Sequence, residues 1–165
     1  MPVDAASFAA ALRQLATGVC LLTVQDGIDD VGTTVSAVMS VSAEPPLVAV
    51  GLTAEGYPAE VLSAVGRGAL TVLADRHAIV ASRFASSGRP SARHLLESVP
   101  WRRAPFSGAI VLDDGLAALD CRLARIIEAG DHVVALLEVE DVPVLDERGA
   151  PLIRHRGRYL GEAGR

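Results

Sequence analysis

Hydroxyl groups are concentrated in one part of this sequence. Residues 32–50 read GTTVSAVMSVSAEPPLVAV, with Thr33, Thr34, Ser36, Ser40 and Ser42 set among small apolar residues and no charge before Glu44. A solvated loop would carry Asp, Lys or Gly clusters, and a buried strand rarely holds so many groups that need hydrogen-bond partners. Two readings remain: a polar-edged strand whose hydroxyls cap its own turns, or a strand whose hydroxyls are completed by a ligand. The other polar candidates stand singly: Arg83 beside Phe84 in ASRFASS, His132 behind Gly130-Asp131, and Tyr159 in GRYL. A guanidinium pairs with phosphate, and an imidazole titrates near neutrality. His77, His94 and His155 have no ligand spacing and are expected at the surface. Asp113-Asp114 and Asp146-Glu147 read as solvated turns, and Trp101 in VPWRR as a loop anchor. No Ser-His-Asp or Cys-His arrangement supports nucleophilic catalysis, and no metal site is expected.

Composition narrows the partners. The chain has 165 residues and a net charge of −5, one domain's worth of sequence with enough length to bury a core. The acidic balance argues against nucleic acid. Cys20 and Cys121 each lie in an apolar run with no second Cys at metal spacing, so a reduced, cytoplasmic chain is expected. The first residues, MPVDAASFAAALRQLATG, contain Asp4 and Arg13 and no long apolar run, which predicts neither a signal peptide nor a membrane span. A mean hydropathy of +0.36 is high for a soluble monomer and points to apolar surface hidden between subunits, hence a homodimer.

The elements that must position these groups follow from periodicity. Asp4 predicts the N-cap of a first helix with Phe8, Leu12 and Leu15 on one apolar face and Gly18 at its end. Short β-like runs follow at 19–24, 33–38 and 47–52, the first two joined by a loop, DGIDDVG. Helices are predicted at 58–65, with Pro at its first turn, and at 77–86, with a strand at 69–74 between them. The segment SGRPSARHLLESVPWRRAPFSG reads as loop plus a short helix. AIVL, LAALDCRLARIIEA and HVVALLEVEDVPVL predict a long hairpin turning at Ala129-Gly130-Asp131, with a final strand or two in PLIRHRGRYL. Many short strands with few helices give a mostly β fold, a closed or nearly closed barrel, as the expected class. There is no G-x-G-x-x-G and no G-x-x-x-x-G-K-[ST], so a bound nucleotide would need another kind of phosphate cradle.

The ordered blocks FAAALRQLATGVCLLTV, GTTVSAVMSVSAEPPLVAVGL, SRFA, VPWRRAPFSGAIVLDDGLAALDCRL, GDHVVALLEVEDV and PLIRHRGRYL resemble the flavin reductase-like family, the small NAD(P)H:flavin oxidoreductases that supply reduced flavin to two-component monooxygenases. The resemblance spans nearly the whole chain. It implies an FMN-binding split β-barrel, a homodimer, FMN or FAD as flavin, NADH or NADPH as hydride donor, and a separate flavin-dependent monooxygenase as recipient of the reduced flavin. It implies flavin contacts from Thr33, Thr34, Val35 and Ser36, from Ser40, Val41 and Ser42, and from Thr53. It also places Arg83, Phe84 and Tyr159 by the flavin, with Phe84 a packing residue and Tyr159 equally a core residue. His132, in the G-D-H turn, is implied on the nicotinamide side as the candidate catalytic residue. The chain departs from the family at Val38, where an aromatic is common, at TAEGYPAE, where Tyr57 and Pro58 stand in place of a Ser/Asn/Thr-rich turn and are expected to alter flavin contacts, and at ALLEVEDV, which lacks the Gly that often precedes the Glu of that strand. Two alternatives stay open: a non-catalytic flavin-binding barrel, and a split-barrel oxidoreductase that keeps its flavin and reduces an organic substrate directly.

Overall fold

The computed structural model describes residues 3–86, 88 and 90–161. Helix α1 (Ala5–Leu12) leads into strands β1 (Thr17–Gly18), β2 (Cys20–Asp26), β3 (Asp29–Val35), β4 (Val38–Ala43) and β5 (Pro46–Thr53). Helix α2 (Tyr57–Val65), strand β6 (Arg67–Val72), a 3-10 turn (Asp75–His77) and helices α3 (Ala78–Ala85) and α4 (Ala92–Leu95) follow. The chain ends with β7 (Trp101–Arg103), β8 (Ile110–Leu112), β9 (Ala117–Ala129), β10 (His132–Leu145), β11 (Ile153–His155) and β12 (Arg158–Leu160). One seven-stranded sheet runs β3-β2-β6-β9-β10-β5-β4, beside a β1-β11-β12 sheet and a β7-β8 pair. The mostly β expectation is met. The ladder, however, is open: β3 and β4 form its two edges and do not pair with each other.

Strand β2 shows how the core is divided. Cys20 to Val24 are all buried, which requires cover on both faces of the strand, since side chains alternate. Cys20, Leu22 and Val24 join one cluster with Val50, Leu62 and Leu137. Val19 and Leu21 join another with Leu73, Phe84 and Leu112. Each fully buried Leu contributes about 1.5–3 kcal/mol. Thr23 falls on the second face and satisfies its hydroxyl by donating to the Ile110 carbonyl.

The sequence boundaries shift for identifiable reasons. Asp4 caps α1 by accepting from the Ser7 amide at 2.9 Å, but the helix stops at Leu12 because Thr17-Gly18 pairs with β11 instead. None of its residues is buried, and Phe8, Leu12 and Leu15 stay exposed. Residues 39–43, unassigned by periodicity, join Val38, expected at the end of the second strand, in edge strand β4. The 26–32 loop shrinks to a tight turn with Gly27 at φ 58, so the second strand starts at Asp29 and ends at Val35. The β9–β10 hairpin turns through Gly130-Asp131, with His132 opposite Ala129 and Gly130 at φ 69, a conformation that favours Gly.

Candidate functional site

Strand β3 pairs with β2 along one edge only, and beside it β5 ends and α2 begins. A groove of about 580 Å³ lies here, walled by β3 from Asp29 to Thr34, by Leu52 and Thr53, by the start of α2 at Gly56–Ala59, and by Ala85, Gly88, Pro90 and Ser91. Thr33 and Thr34 are half-buried and Thr53 exposed. The Thr34 hydroxyl donates to the Ala81 carbonyl at 2.7 Å, which ties β3 to α3. Among the described residues, the Thr33 and Thr53 side chains have no protein hydrogen-bond partner. Helix α2 starts at Gly56 with no side chain capping its first turn. Pro58 brings no N–H to that turn, and the Ala59 and Glu60 amides donate to the Gly56 carbonyl at 2.9 and 3.3 Å, so the Tyr57 amide and the positive dipole end are what this helix start offers an anion. Hydroxyl donors beside such a helix start are the donor set a phosphate ester needs, so the residues present fit the phosphate of a flavin nucleotide.

A second, apolar groove of about 720 Å³ lies over the β3–β4 link, the start of β4 and the middle of β5. Its floor includes Ser36, Ala37, Ala49 and Gly51, and its walls include Leu12, Leu15 and Met39, with Arg154 and Arg156 at one side. Here the chain runs close: the Gly51 amide donates to the Ala37 carbonyl at 2.8 Å, and a Cβ on Gly51 would stand 3.0 Å from that of Ala37. The result is a flat, small-residue surface suited to a planar ring.

The structure distributes the sequence-predicted residues unevenly. Thr33, Thr34 and Thr53 come together in the first groove, and Ser36 lines the second. Val35 is buried in the core. Ser40, Val41 and Ser42 lie on the β4 edge, with the β4–β5 register shifting between Ser40 and Ser42, and line neither groove. Phe84 is fully buried and packs under β3 where a Cβ on Gly32 would meet its ring at 2.6 Å. Arg83 donates to the Leu95 carbonyl at 3.2 Å, a contact with the end of α4. Tyr159 packs at the margin of the second core cluster under the Arg154 guanidinium, 5.6 Å from its ring centre.

His132 sits directly opposite Thr53 across the β10–β5 ladder. Paired residues in an antiparallel ladder share a face, which sets the imidazole on the Thr53 side of the hairpin tip. Its Nδ1 is 2.8 Å from Asp131 Oδ1, and this hydrogen bond holds the Asp131 carboxyl below the usual range.

Sequence reasoning missed several groups. His77 is buried, not at the surface: its Nδ1 accepts from the Ala74 amide at 3.1 Å and its Nε2 lies 3.0 Å from Asp114 Oδ1. Asp114 is thereby half-buried rather than a free turn residue. Nothing in the spacing of a lone His signals that. Asp29 and Asp30, read as loop, straddle β3: Asp29 is exposed in the groove and Asp30 is almost wholly buried. Asp30 Oδ2 pairs with Arg93 Nε at 2.9 Å and with Arg103 Nη2 at 3.0 Å. Cys20 and Cys121 are free and buried, burial pushing their thiols up to about 11 and about 12. Among the described residues no cluster of His, Cys, Asp and Glu is disposed to hold a metal, and no helix is long and apolar enough to cross a membrane.

Comparison with known proteins follows the same geometry. The chain is 35% identical over 152 residues to the NADH-dependent FMN reductase AsuE2 of Streptomyces nodosus subsp. asukaensis, covering 92% of this chain and 82% of that one. It is 30% identical over 162 residues to HsaB of Mycobacterium tuberculosis, the reductase subunit of a flavin-dependent monooxygenase, covering 96% of this chain and 83% of that one. The crystal structure of BorF, the flavin reductase component of a bacterial two-component tryptophan halogenase, superposes with a TM-score of 0.87 at 30% identity over 96% of this chain and 98% of BorF. Residues 12–163 match the family described as Flavin reductase like domain, and the chain belongs to that family.

Proposed function

We propose that this protein is an NAD(P)H:flavin oxidoreductase that reduces FMN or FAD and releases the reduced flavin to a separate monooxygenase. The observation that carries the reading is the meeting of Thr33, Thr53 and the uncapped start of α2 in one groove, next to the flat Ser36-Ala37-Gly51 surface. Thr33 and Thr53 would donate to the flavin phosphate alongside the Tyr57 amide at the start of α2, and the small residues would support the ring. Flavin held there supplies the hydride-accepting ring. The chain's own contribution is to hold donor and acceptor in register, which can account for most of the rate without a protein acid or base. His132, on the Thr53 side of the β10 start, lies where it would help orient the nicotinamide. Arg83 would reach the phosphate only by leaving the Leu95 carbonyl.

In this reading the open seven-stranded sheet is a split barrel whose β3 and β4 edges flank the ligand. The exposed face of Phe8, Leu12, Leu15 and Met39 would be covered in a homodimer, and the buried free thiols suit a reducing cytoplasm.

Steady-state NAD(P)H oxidation with and without added flavin tests the function. The expected result is a colourless protein that consumes NAD(P)H only when free FMN or FAD is supplied. A protein that holds flavin yet oxidises neither nicotinamide overturns it. So does one that turns over with a retained flavin and passes none on.

A further inference from the structure

The even-numbered residues of β3 share one face of the strand, and that face carries α3 and α4. The Thr34 hydroxyl holds α3 through the Ala81 carbonyl. At Gly32 the strand runs so close that a Cβ would stand 2.6 Å from the Phe84 ring and 3.5 Å from the Ala92 Cβ. Asp30 completes the row. Its side chain is 1% exposed, and two guanidinium groups reach it from the surface. Arg93 of α4 sets its Nε 2.9 Å from Oδ2. Arg103 of β7 sets Nη2 3.0 Å from the same oxygen and Nη1 on Oδ1. Arg93 also donates to the Ile28 carbonyl and Arg103 to the Gly108 carbonyl at 3.0 Å. One carboxylate thus joins the β2–β3 turn, α4 and the β7–β8 pair.

What hangs from this joint is a wall of the first groove. Ala85, Pro90 and Ser91, from the stretch between α3 and α4, line it together with Thr33, Thr53 and the start of α2. Helix α4 spans four residues, buries only Ala92 and has no side-chain cap at its start, and so short a helix gains little hold from its own hydrogen bonds. Ser91 hydrogen-bonds the Asp29 carboxylate, which ties the wall to the groove side of β3, while Asp30 ties it from the other face. A carboxylate buried this deeply is costly unless fully paired, so removing one guanidinium shifts the wall or admits water beneath it. We propose that Asp30 is a positioning residue: its clamp on Arg93 and Arg103 holds the Pro90–Ser91 wall at the spacing from β3 that grips the flavin nucleotide, and so sets flavin affinity while leaving hydride transfer alone. The proposal rests on the flavin reductase reading and names what shapes its site.

Steady-state kinetics of Arg93→Gln, Arg93→Lys and Asp30→Asn test it, with flavin and NAD(P)H varied in turn. Arg93→Gln removes a half-exposed partner and leaves Arg103 on the carboxylate, so the fold is retained. Its flavin KM is expected to rise about tenfold, the size of one charge-assisted hydrogen bond, with kcat and the NAD(P)H KM unchanged. Arg93→Lys keeps a cation for Asp30 and should recover most of that loss; Asp30→Asn should match Arg93→Gln. A scaffold role alone would lower the thermal midpoint and move no KM, because unfolded molecules reduce the rate and not the KM. In the flavin-free protein, amide exchange over residues 91–96 should quicken in Arg93→Gln. An unchanged flavin KM, unchanged exchange, or a joint failure of KM and kcat that lysine does not restore would overturn the clamp and leave the reductase function standing. An unmodified protein that oxidises no NAD(P)H with either flavin would remove the function, and the positioning role with it.

Discussion

Two polar regions of this molecule solve opposite problems. Asp120 is wholly buried and completes itself within the chain, accepting from the Phe106 amide at 2.6 Å and the Ser107 amide at 3.1 Å. Asp30 and His77 behave likewise, and among the described residues no buried side-chain N or O lacks a partner. Thr33, Ser36 and Thr53 have partly or fully exposed side chains that the protein does not engage. A buried polar group without a partner costs the full desolvation penalty, so the fold must satisfy it. A group at a groove surface is satisfied by water, which a ligand can displace. The first kind of polar residue holds the scaffold; the second is free to recognise something.

The largest test of this contrast is Asp120→Ala. It strands two amides in the interior and is expected to lower the unfolding free energy by about 3 kcal/mol, read by urea denaturation. A variant of unchanged stability would erase the distinction. The reciprocal change, Thr33→Val with Thr53→Val, should leave urea stability within about 0.5 kcal/mol, as for surface sites. It should weaken flavin binding about tenfold, the worth of a hydrogen bond to a charged group.

His77 sharpens the contrast through pH. Burial holds its pKa below the ordinary 6.5, against the opposing pull of Asp114. Between those two values the unfolded chain binds more protons than the folded one, so stability is lost as pH falls through 6.5 toward the folded value. The thermal midpoint is expected to drop between pH 7 and 5.5 in the unmodified protein, and to drop less in His77→Gln. Equal slopes would show that the imidazole titrates freely. The smallest effect belongs to the exposed His132. His132→Ala should raise the KM for NAD(P)H about twofold to fivefold, the loss of one modest hydrogen bond, with flavin affinity unchanged. Unaltered NAD(P)H kinetics would remove His132 from the site.

Much of the scaffold was legible in the chain because its signals are local. The Asp4 cap, the Pro58 helix start and the Gly130-Asp131 turn depend on neighbours within a few residues, and each recurs in the structure. The hydroxyl-rich stretch was recognisable too, yet it folds as two strands on opposite edges of one sheet. That break separates Thr33, Thr34 and Ser36 from Ser40, Val41 and Ser42. Periodicity could not show it, since Ser and small apolar residues alternate in register with either arrangement.

The amino-acid order by itself determined which segments become strands or helices, and it placed the family-bearing blocks, because those depend on short-range sterics and patterning. Only the tertiary structure decided which polar residues share a groove. The ladder sets Thr53 opposite His132 and, with β3 and α2, gathers Thr33, Tyr57 and Asp29. It also turns Arg83 toward α4 and seals His77 against Asp114. Those outcomes rest on contacts between residues far apart in the chain, and no local preference encodes which distant partner a side chain will meet.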